Sequence, residues 1–364
     1  MPVNDNHRLR RWMGFLSAAG RQKPATPERQ LFTKILAIRS VPCYDIAHLG
    51  FCFSNLMGWS MVYTVTTNPS LDYTVEADLI PGRVNRTRSE VIYPGGKGIN
   101  VSVMLQRLGM PTVALGFAAG RIGQAIRDLL DDMGCPHDLL ELSNGGQSRI
   151  NVKFLGEDET AVNGRGPEPS PEDMERLLQK VWNMGHADCL VVSGWTQTPT
   201  FYEQLLARAE AQGCTAVLDC TGETLWRCLR YHPFLIKPNI HELGALFGVE
   251  DLEFSEAVAL ANQLQNQGAR NVMVSMGGEG SFLLTEDMEL FFANVCAGHR
   301  CNSVGAGDSQ IAGFLTGLRH TKDYETALRL GVAAGCATAY SPWIATKEDT
   351  MALFDQIRVE KMVF

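Results

Sequence analysis

Hydrophobic and polar positions repeat along most of the chain with two different periods. Short runs rich in β-branched and aromatic residues predict strands at 62–67, 112–117, 189–193, 216–219, 234–236 and 271–275. Apolar residues spaced three or four positions apart predict helices at 99–108, 123–133, 171–183, 201–212, 240–247 and 255–267. Because strands and helices take turns in this way, we expect an α/β fold in which helices cover a mostly parallel sheet.

Two further stretches follow a period of two with no helix between their strands. They span residues 74–93, TVEADLIPGRVNRTRSEVIY, and residues 148–163, SRINVKFLGEDETAVN. This alternation predicts strands with one solvated face, so we expect a small, separate antiparallel sheet inserted into the α/β body. Such a sheet is either a lid over a binding cleft or a hairpin with no function of its own.

Composition narrows the class of protein. The chain has 364 residues, 45% of them hydrophobic, and a formal net charge of −8. That charge argues against a nucleic-acid or anionic-membrane partner, and no apolar run approaches the roughly 20 residues that span a bilayer. The ten cysteines form no C-x-x-C pair. We therefore expect reduced thiols in a cytoplasmic protein, with neither a disulfide framework nor a zinc site.

The first sixty residues differ from the rest in charge, since they hold eight Lys or Arg and three Asp or Glu. They lack the clear apolar core and cleavage site of a secretory signal. We interpret residues 1–60 as a poorly ordered appendage outside the fold, with Met61 as the natural beginning. Residues 61–364 are then one domain, with lid segments at about 73–95 and 147–165.

One carboxylate stands between glycines and a predicted helix. In NSVGAGDS, residues 302–309, Asp308 follows Gly305, Ala306 and Gly307. Free backbone N–H groups at a helix start form a positive pole that suits phosphate oxygens, and Asp308 could accept a hydroxyl proton there. The alternative is a helix N-cap, for which aspartate is a preferred residue.

The stretch YPGGKGIN, residues 93–100, leads into another predicted helix. It is not a Walker A loop, because Gly98 stands where Ser or Thr would contact magnesium. It is either a backbone-lined pocket that offers Lys97 and Asn100 to a polar ligand, or a flexible connection with a solvated lysine.

The stretch LIKPNIHEL, residues 235–243, carries a strand into a helix. Lys237 would face the cleft, as a residue at the carboxyl end of a strand does in open α/β sheets. Glu242 would either hold a metal-bound water or complement the dipole of its helix.

Two weaker signals concern a glycine turn and a pair of cations. SMGGEG, residues 275–280, follows a predicted strand and is either a nucleotide-edge turn or an ordinary hairpin. Arg149 and Lys153 share one face of a predicted lid strand. They would suit a phosphorylated ligand if that face meets a cleft, and are otherwise a solvated face.

The order of these motifs resembles the PfkB (ribokinase-like) carbohydrate kinase family. The motifs are N-P-x-x-D, G-G-K-G-x-N, R-I-N-V-K, K-P-N-x-x-E-L, S-x-G-x-x-G and G-A-G-D, and the resemblance spans residues 61–350. It implies a three-layer α/β/α body with a β-sheet lid. It also implies transfer of the γ-phosphoryl group of ATP, with Mg²⁺, to a sugar-phosphate hydroxyl, and a homodimer through the lid as the assembly.

The resemblance also implies roles for individual residues. On the catalytic side it assigns the base to Asp308 and the anion hole to the amides of Gly305, Ala306 and Gly307. On the cofactor side it assigns Lys237, Asn239, Ser275, Met276, Gly277, Gly278, Glu279, Gly280 and Gly307, with Glu242 organising magnesium through water. On the substrate side it assigns Asp72, Gly95, Gly96, Lys97, Asn100, Arg149 and Lys153.

Within the family, the motifs most resemble members that phosphorylate the C6 hydroxyl of fructose 1-phosphate. Tagatose-6-phosphate kinases share nearly every motif and remain an alternative, and a catalytically silent sugar-phosphate sensor is an alternative from another class. One departure is GWTQTP, residues 194–199, where related kinases continue with small residues. The bulky Trp195 leaves fine specificity open.

Overall fold

The computed structural model describes residues 59–155, 160–194, 196, 198–302 and 304–363. Within these ranges the strands are β1 Met61–Thr66, β2 Ser70–Glu76, β3 Ser89–Gly95, β4 Thr112–Ala118, β5 His137–Glu141, β6 Arg149–Leu155, β7 Thr160–Asn163, β8 Asp188–Ser193, β9 Thr215–Asp219, β10 Leu235–Ile236, β11 Asn271–Ser275, β12 Ser281–Leu284, β13 Leu290–Ala293 and β14 Val359–Met362. The helices are α1 Lys97–Arg107, α2 Gly120–Asp132, α3 Pro171–Trp182, α4 Pro199–Ala211, α5 Gly222–Cys228, α6 Ile240–Phe247, α7 Phe254–Asn266, α8 Ala306–Thr321, α9 Tyr324–Ala339 and α10 Lys347–Phe354.

Among the described residues, ten strands form the central sheet, in the order β14-β13-β12-β11-β10-β9-β8-β1-β4-β5. The seven strands from β11 to β5 pair in parallel, and β12, β13 and β14 continue the sheet antiparallel. The predicted α/β fold with a mostly parallel sheet is confirmed, and its strands read as near-continuous apolar runs because helices bury both faces.

Two groups of helices cover this sheet. Helices α1, α8, α9 and α10 contact one another, as do α3 to α7, and each group also packs on the strands. Ile99 and Met104 from α1 join Phe314 from α8 in the core, all fully buried. The layers are therefore helix, sheet and helix, as the family resemblance implies. No helix in the described ranges is long and apolar enough to cross a membrane.

Local capping chemistry sets several helix boundaries. Helix α3 starts with a capping box, in which the Ser170 side chain accepts from the Asp173 backbone N–H and Asp173 returns the bond to Ser170. Helix α6 ends at Gly248, whose φ of 68° is the left-handed conformation that glycine adopts without strain.

The predicted small sheet exists and has the order β3-β2-β6-β7. Its pairing corrects one expectation, because β2 and β6 run parallel, whereas β2–β3 and β6–β7 are antiparallel. The parallel pair arises because β2 and β6 both leave the same edge of the body, one after β1 and the other after β5. We call this four-stranded sheet the lid.

The folded part includes two residues before Met61. Trp59 is 3% exposed, and its indole N–H donates to the Thr215 hydroxyl at 3.0 Å. The Ser60 backbone N–H donates to the Ala187 carbonyl at 2.6 Å. The predicted boundary at Met61 therefore shifts by two positions. The remainder of the predicted appendage, residues 1–58, lies outside the described residues.

Candidate active site

Five parallel strands end at one edge of the central sheet and bring polar residues there. Thr66, Ser193, Asp219 and Ser275 end β1, β8, β9 and β11, and Lys237 follows β10 directly. The strand order reverses at β1, which has β8 on one side and β4 on the other. Ligands of open α/β sheets bind at such a switch point, outside the carboxyl ends of the strands.

Helix α8 opens on this edge with unsatisfied backbone donors. Its N-cap is Gly305, at a φ of 82°, and no side chain of the described ranges caps it. Asp308 is the third helical residue, so it is not the N-cap. Within the described part of the chain, the backbone N–H groups of residues 305–308 donate to no acceptor. The helix start is thus a positive pole open to an anion.

Asp308 lies buried beside that pole. It is 5% exposed, and its Oδ2 accepts a hydrogen bond from Asn100 Nδ2 at 2.8 Å. Burial raises the pKa of Asp308 to about 6, and Asp219 adds to the rise, while Lys97, the Asn100 bond and Lys237 oppose it. A carboxylate whose pKa lies near neutrality is a suitable general base.

Two lysines and a second carboxylate complete the centre. Lys97 Nζ lies 3.2 Å from Asp219 Oδ2. Burial disfavours the charged form of Lys97, but Asp219, Asp308 and Glu242 outweigh it and raise the pKa of this lysine. Lys237 is 5% exposed, and a Cβ on Gly307 would lie 2.9 Å from its Nζ. The ammonium of Lys237 therefore lies against the start of α8.

Asp219 is a site residue that the sequence analysis did not identify. It is 2% exposed and ends the strand that was predicted at 216–219. Its position was the available signal, because a carboxylate at the carboxyl end of a parallel strand faces the cleft in the same way as Lys237.

A cavity of about 190 Å³ opens between the lid and the body. It is lined by Thr66, Thr67, Asn68, Gly96, Lys97, Arg149, Ser193 and Gly194. Arg149 Nε donates to the Asn68 carbonyl at 3.1 Å, and the terminal nitrogens of this guanidinium make no hydrogen bond within the described ranges. Burial lowers the pKa of Arg149 and Asp72 opposes that effect. The Ser193 hydroxyl is buried with no partner among the described residues, so it is a second group missed by the sequence analysis.

Lys153 pairs with a carboxylate of the lid, whereas Arg149 lines the cavity. Its Nζ donates to Asp72 Oδ2 at 2.8 Å, and both side chains are buried. Asp72 Oδ1 also accepts from Ser70 Oγ at 2.6 Å and from Asn151 Nδ2 at 2.9 Å. The charge of Lys153 therefore has a partner inside the lid, and contact of this lysine with a ligand phosphate stays a prediction.

The two leading glycines of GGKG serve different needs. A Cβ on Gly95 would lie 2.4 Å from Asp72 Oδ1, so only glycine leaves room for the buried pair. Gly96 is the N-cap of α1, at a φ of 125°, and lines the cavity. Asn100, one turn into α1, donates to Asp308 and so joins the starts of α1 and α8.

The predicted nucleotide side lies at the other end of this edge. Asn239 and Glu242 form a capping box, in which Asn239 Oδ1 accepts from the Glu242 N–H at 2.8 Å and Glu242 Oε2 accepts from the Asn239 N–H at 2.9 Å. The predicted loop from Ser275 to Gly280 is adjacent, since the Ser275 N–H donates to the Pro238 carbonyl at 3.2 Å. A Cβ on Gly277 or Gly278 would meet only open space.

Glu242 is the candidate for magnesium. Its capping bond uses Oε2, and its Oε1 makes no hydrogen bond within the described ranges. In the part of the chain that the structure describes, no group of three or more His, Cys, Asp or Glu side chains is arranged to hold a metal ion. The oxygen Oε1 of Glu242 suits Mg²⁺, which usually binds one or two carboxylates together with the phosphates of its substrate.

The structure thus brings Asp308, Asn100, Lys97 and Lys237 together at one point, with Arg149 beside the cavity. Asp72 and Lys153 form a separate pair in the lid. Trp195 lies outside the described residues.

Comparisons with known proteins identify the family of the chain. The profile of the pfkB family carbohydrate kinases matches residues 65–349. A 1-phosphofructokinase of Bacillus subtilis is 41% identical over 306 residues, which cover 83% of this chain and 100% of that protein. A D-tagatose-1-phosphate kinase of Bacillus licheniformis is 35% identical over 286 residues, which cover 77% of this chain and 93% of that protein.

Solved structures of phosphofructokinase-2 from Escherichia coli have the same fold. One is a complex with fructose-6-phosphate and another is its tetrameric inhibited form. Each has a TM-score of 0.74 and 27% identity to this chain, and each comparison covers 81% of this chain and 98% of that one.

Proposed function

The chain belongs to the PfkB family of carbohydrate kinases, and from this premise we propose that it transfers the γ-phosphoryl group of ATP to the C6 hydroxyl of fructose 1-phosphate. The products are ADP and fructose 1,6-bisphosphate. The 1-phosphofructokinase of Bacillus subtilis, which aligns over its whole length, supports this choice of substrate.

The observation that carries the proposal is the meeting of two helix starts at one buried carboxylate. Asn100 of α1 donates to Asp308 of α8 at 2.8 Å, and the backbone N–H groups of residues 305–308 at the same helix start donate to no acceptor among the described residues. Phosphoryl transfer needs little covalent chemistry from the protein, and depends on positioning and on donors for the equatorial oxygens. A base beside an anion hole supplies both.

The protein's part in the reaction follows from these positions. Asp308 accepts the proton of the C6 hydroxyl as that oxygen forms a bond to the γ-phosphorus and the bond to the bridging oxygen of ADP breaks. The amides of Gly305, Ala306 and Gly307 donate to the charged oxygens of the transferring group. Lys237, whose ammonium lies against Gly307, adds positive charge on the same side.

The phosphate already on the sugar has a separate partner. Arg149 offers the free terminal nitrogens of its guanidinium to the cavity, and the two-pronged shape of this group matches a phosphate. Lys97 lines the same cavity and adds charge there. The buried Ser193 hydroxyl is available to a sugar hydroxyl.

ATP would lie over Lys237, Asn239 and the loop from Ser275 to Gly280. Glu242 would hold Mg²⁺ through water, and the ion when bound neutralises charge on the phosphate oxygens. A kinase that consumes ATP and a sugar phosphate works where both are kept, and we therefore place it in the cytoplasm.

A second candidate substrate is tagatose 1-phosphate, which the relative from Bacillus licheniformis supports by its name. Tagatose differs from fructose only in configuration at C4. The 1-phosphates of both sugars therefore present a phosphate at C1 and a hydroxyl at C6. Tagatose 6-phosphate, which carries its phosphate at C6, is the alternative substrate that the sequence motifs left open.

An ADP-release assay with fructose 1-phosphate, fructose 6-phosphate, tagatose 1-phosphate and tagatose 6-phosphate separates these candidates. We expect the highest kcat/KM with fructose 1-phosphate and a bisphosphate as the product. A higher value with fructose 6-phosphate would contradict the proposal, because the C1 phosphate then would not be what Arg149 recognises.

We also propose a homodimer through the lid. Ile92, Ile150 and Val162 are 44%, 41% and 59% exposed, and the strand register places them on the face opposite to Asp72. Exposed apolar residues grouped on one face mark interaction sites. A Val162→Lys substitution should convert the dimer into a monomer in sedimentation velocity, and a wild-type protein that is already monomeric would contradict the proposal.

A further inference from the structure

The segment 340–346, YSPWIAT, connects α9 to α10 and carries none of the family motifs. It lies between the lid and the start of α8, and it contacts both. Its residues Trp343, Ile344 and Ala345 are 7%, 4% and 1% exposed. A buried connection of this kind is unusual, since connecting segments normally run over the surface.

On the lid side, the contact is an aromatic stack. The ring of Trp343 lies parallel to that of Tyr93, with centroids 4.6 Å apart and an interplanar angle of 6°. Tyr93 belongs to β3 and stands opposite Asp72 of β2 in the strand register. The stack therefore fixes the lid strand next to the one that carries Asp72.

Arg107 holds the segment from the body. Its guanidinium lies 5.2 Å from the centroid of the Trp343 ring. Its Nη1 donates to the Ile344 carbonyl and, at 3.2 Å, to the Ala345 carbonyl. Trp343 is thus held through its ring and through the backbone carbonyls of the two residues that follow it.

On the catalytic side, the segment packs against the first turn of α8. A Cβ on Gly305 would lie 2.6 Å from Ile344 Cδ1, so the segment touches the N-cap of that helix. The Ala345 N–H donates to Thr338 Oγ1 at 3.2 Å, and that hydroxyl donates to Ser309 Oγ at 2.7 Å. Ser309 is the residue directly after Asp308.

From these contacts we propose that Trp343 and Tyr93 are positioning residues that tie the lid to the helix carrying Asp308. The segment 340–346 then supports both the lid strands that border the sugar cavity and the base that deprotonates the sugar. The proposal rests on the kinase function above, and it adds that the fit of the lid sets the alignment of the base. Small misplacements matter in such a site, since about 1 Å can cost 10²-fold in rate.

The test uses Leu and Phe replacements at both positions in the full chain. Tyr93→Leu and Trp343→Leu should each raise KM for the sugar phosphate and lower kcat. The value of kcat/KM should fall by about 2- to 12-fold in each variant, which is the range expected for a stacked aromatic pair. KM for ATP should stay unchanged. Tyr93→Phe and Trp343→Phe keep a ring in place and should recover most of the wild-type values.

The double variant Tyr93→Leu/Trp343→Leu gives the decisive comparison. It should cost little more than either single change, because both remove the same contact. Trp182→Leu is the matched control, since Trp182 is 54% exposed on α3 and contacts Arg208, away from the site. Its kinetic constants should equal those of the wild type.

Two results would overturn the coupling. One is Leu variants that unfold at lower temperature but keep kcat and both KM values at 25 °C, which would make the stack structural only. The other is a double variant whose losses are the product of the single losses. Turnover of fructose 1-phosphate by the wild-type protein tests the proposed function. The ratio of kcat/KM between variant and wild type, measured with the best sugar phosphate, tests the coupling. Either result can therefore fail without the other.

Discussion

Replacing Asp308 by Asn should lower turnover and raise stability at the same time. The substitution keeps the shape of the side chain and removes the proton acceptor, and general-base assistance is worth about 10²- to 10⁴-fold. We therefore expect kcat to fall by about that factor, while ATP binding persists.

The stability gain follows from the pKa of Asp308. Burial raises it from 3.8 to about 6. A difference of roughly two units corresponds to about 3 kcal/mol against the ionised form in the folded protein. This cost is absent below about pH 3.8, grows as the pH rises to about 6, and is complete above it. The Asn variant also loses the favourable interaction of the negative charge with the start of α8, which costs about 0.3–1 kcal/mol. The folded protein is then more stable by about 2 kcal/mol with Asn at pH 8.

Three measurements check this reasoning. ADP release gives kcat, thermal unfolding at pH 8 gives the stability difference, and wild-type kcat/KM for the sugar phosphate should rise with pH up to about 6 and then level off. Asp323 is the control, because its side chain caps α9 by accepting from the Thr326 N–H at 2.7 Å. Asp323→Ala should cost about 0.5–2 kcal/mol of stability and leave kcat unchanged.

An Asp308→Asn variant that keeps more than about a tenth of the wild-type rate would contradict the role of Asp308 as the base. A variant that unfolds at a lower temperature than wild type at pH 8 would contradict the predicted stability gain, since a stabilising structural carboxylate would behave in that way.

Three further predictions concern the lid and the start of the fold. Arg149→Ala should lower kcat/KM for the sugar phosphate by roughly 10- to 150-fold and leave KM for ATP unchanged, and Arg149→Lys should recover part of the loss. An equal rise in KM for ATP would place this arginine on the nucleotide side. Lys153→Met should destabilise the fold by about 3–5 kcal/mol in urea unfolding, because it leaves Asp72 buried and unpaired, and an unchanged midpoint would show that the pair is not needed. Deletion of residues 1–58 should leave the melting temperature nearly unchanged, whereas a deletion that also removes Trp59 should lower it by several degrees, since a buried Trp contributes about 3–5 kcal/mol. Equal melting temperatures for the two deletions would contradict the predicted contribution of Trp59.

The sequence predicted the body of the fold well, because strands buried on both faces leave continuous apolar runs. Residues 189–193 and 271–275 were located in this way to within a residue. The short strands β5, β12, β13 and β14 were not predicted, since runs of four or five residues carry little periodic signal. The parallel pairing of β2 with β6 was missed because strand direction is set by the path of the intervening chain.

The motifs led to Asp308 and its family, which the profile and the relatives confirm. They could not show that Gly305 is the N-cap of α8, nor that Lys153 has Asp72 as its partner. Both facts depend on which side chains meet across the fold. The assigned roles of the site residues stay predictions.

The parallel pairing within the lid has a consequence for how the protein folds. Ser70 and Asn151, which bond across β2 and β6, are 81 positions apart in sequence, whereas Tyr73 and Glu90, which bond across β2 and β3, are 17 apart. Closing the longer loop costs more chain entropy before any contact forms, and the intervening strands β4 and β5 must first find their places in the body. We therefore expect the β2–β3 hairpin to form early and the β6 side of the lid to join late. During synthesis or refolding the chain would pass through a state in which the helices and the central sheet are complete while the sugar cavity still lacks Arg149.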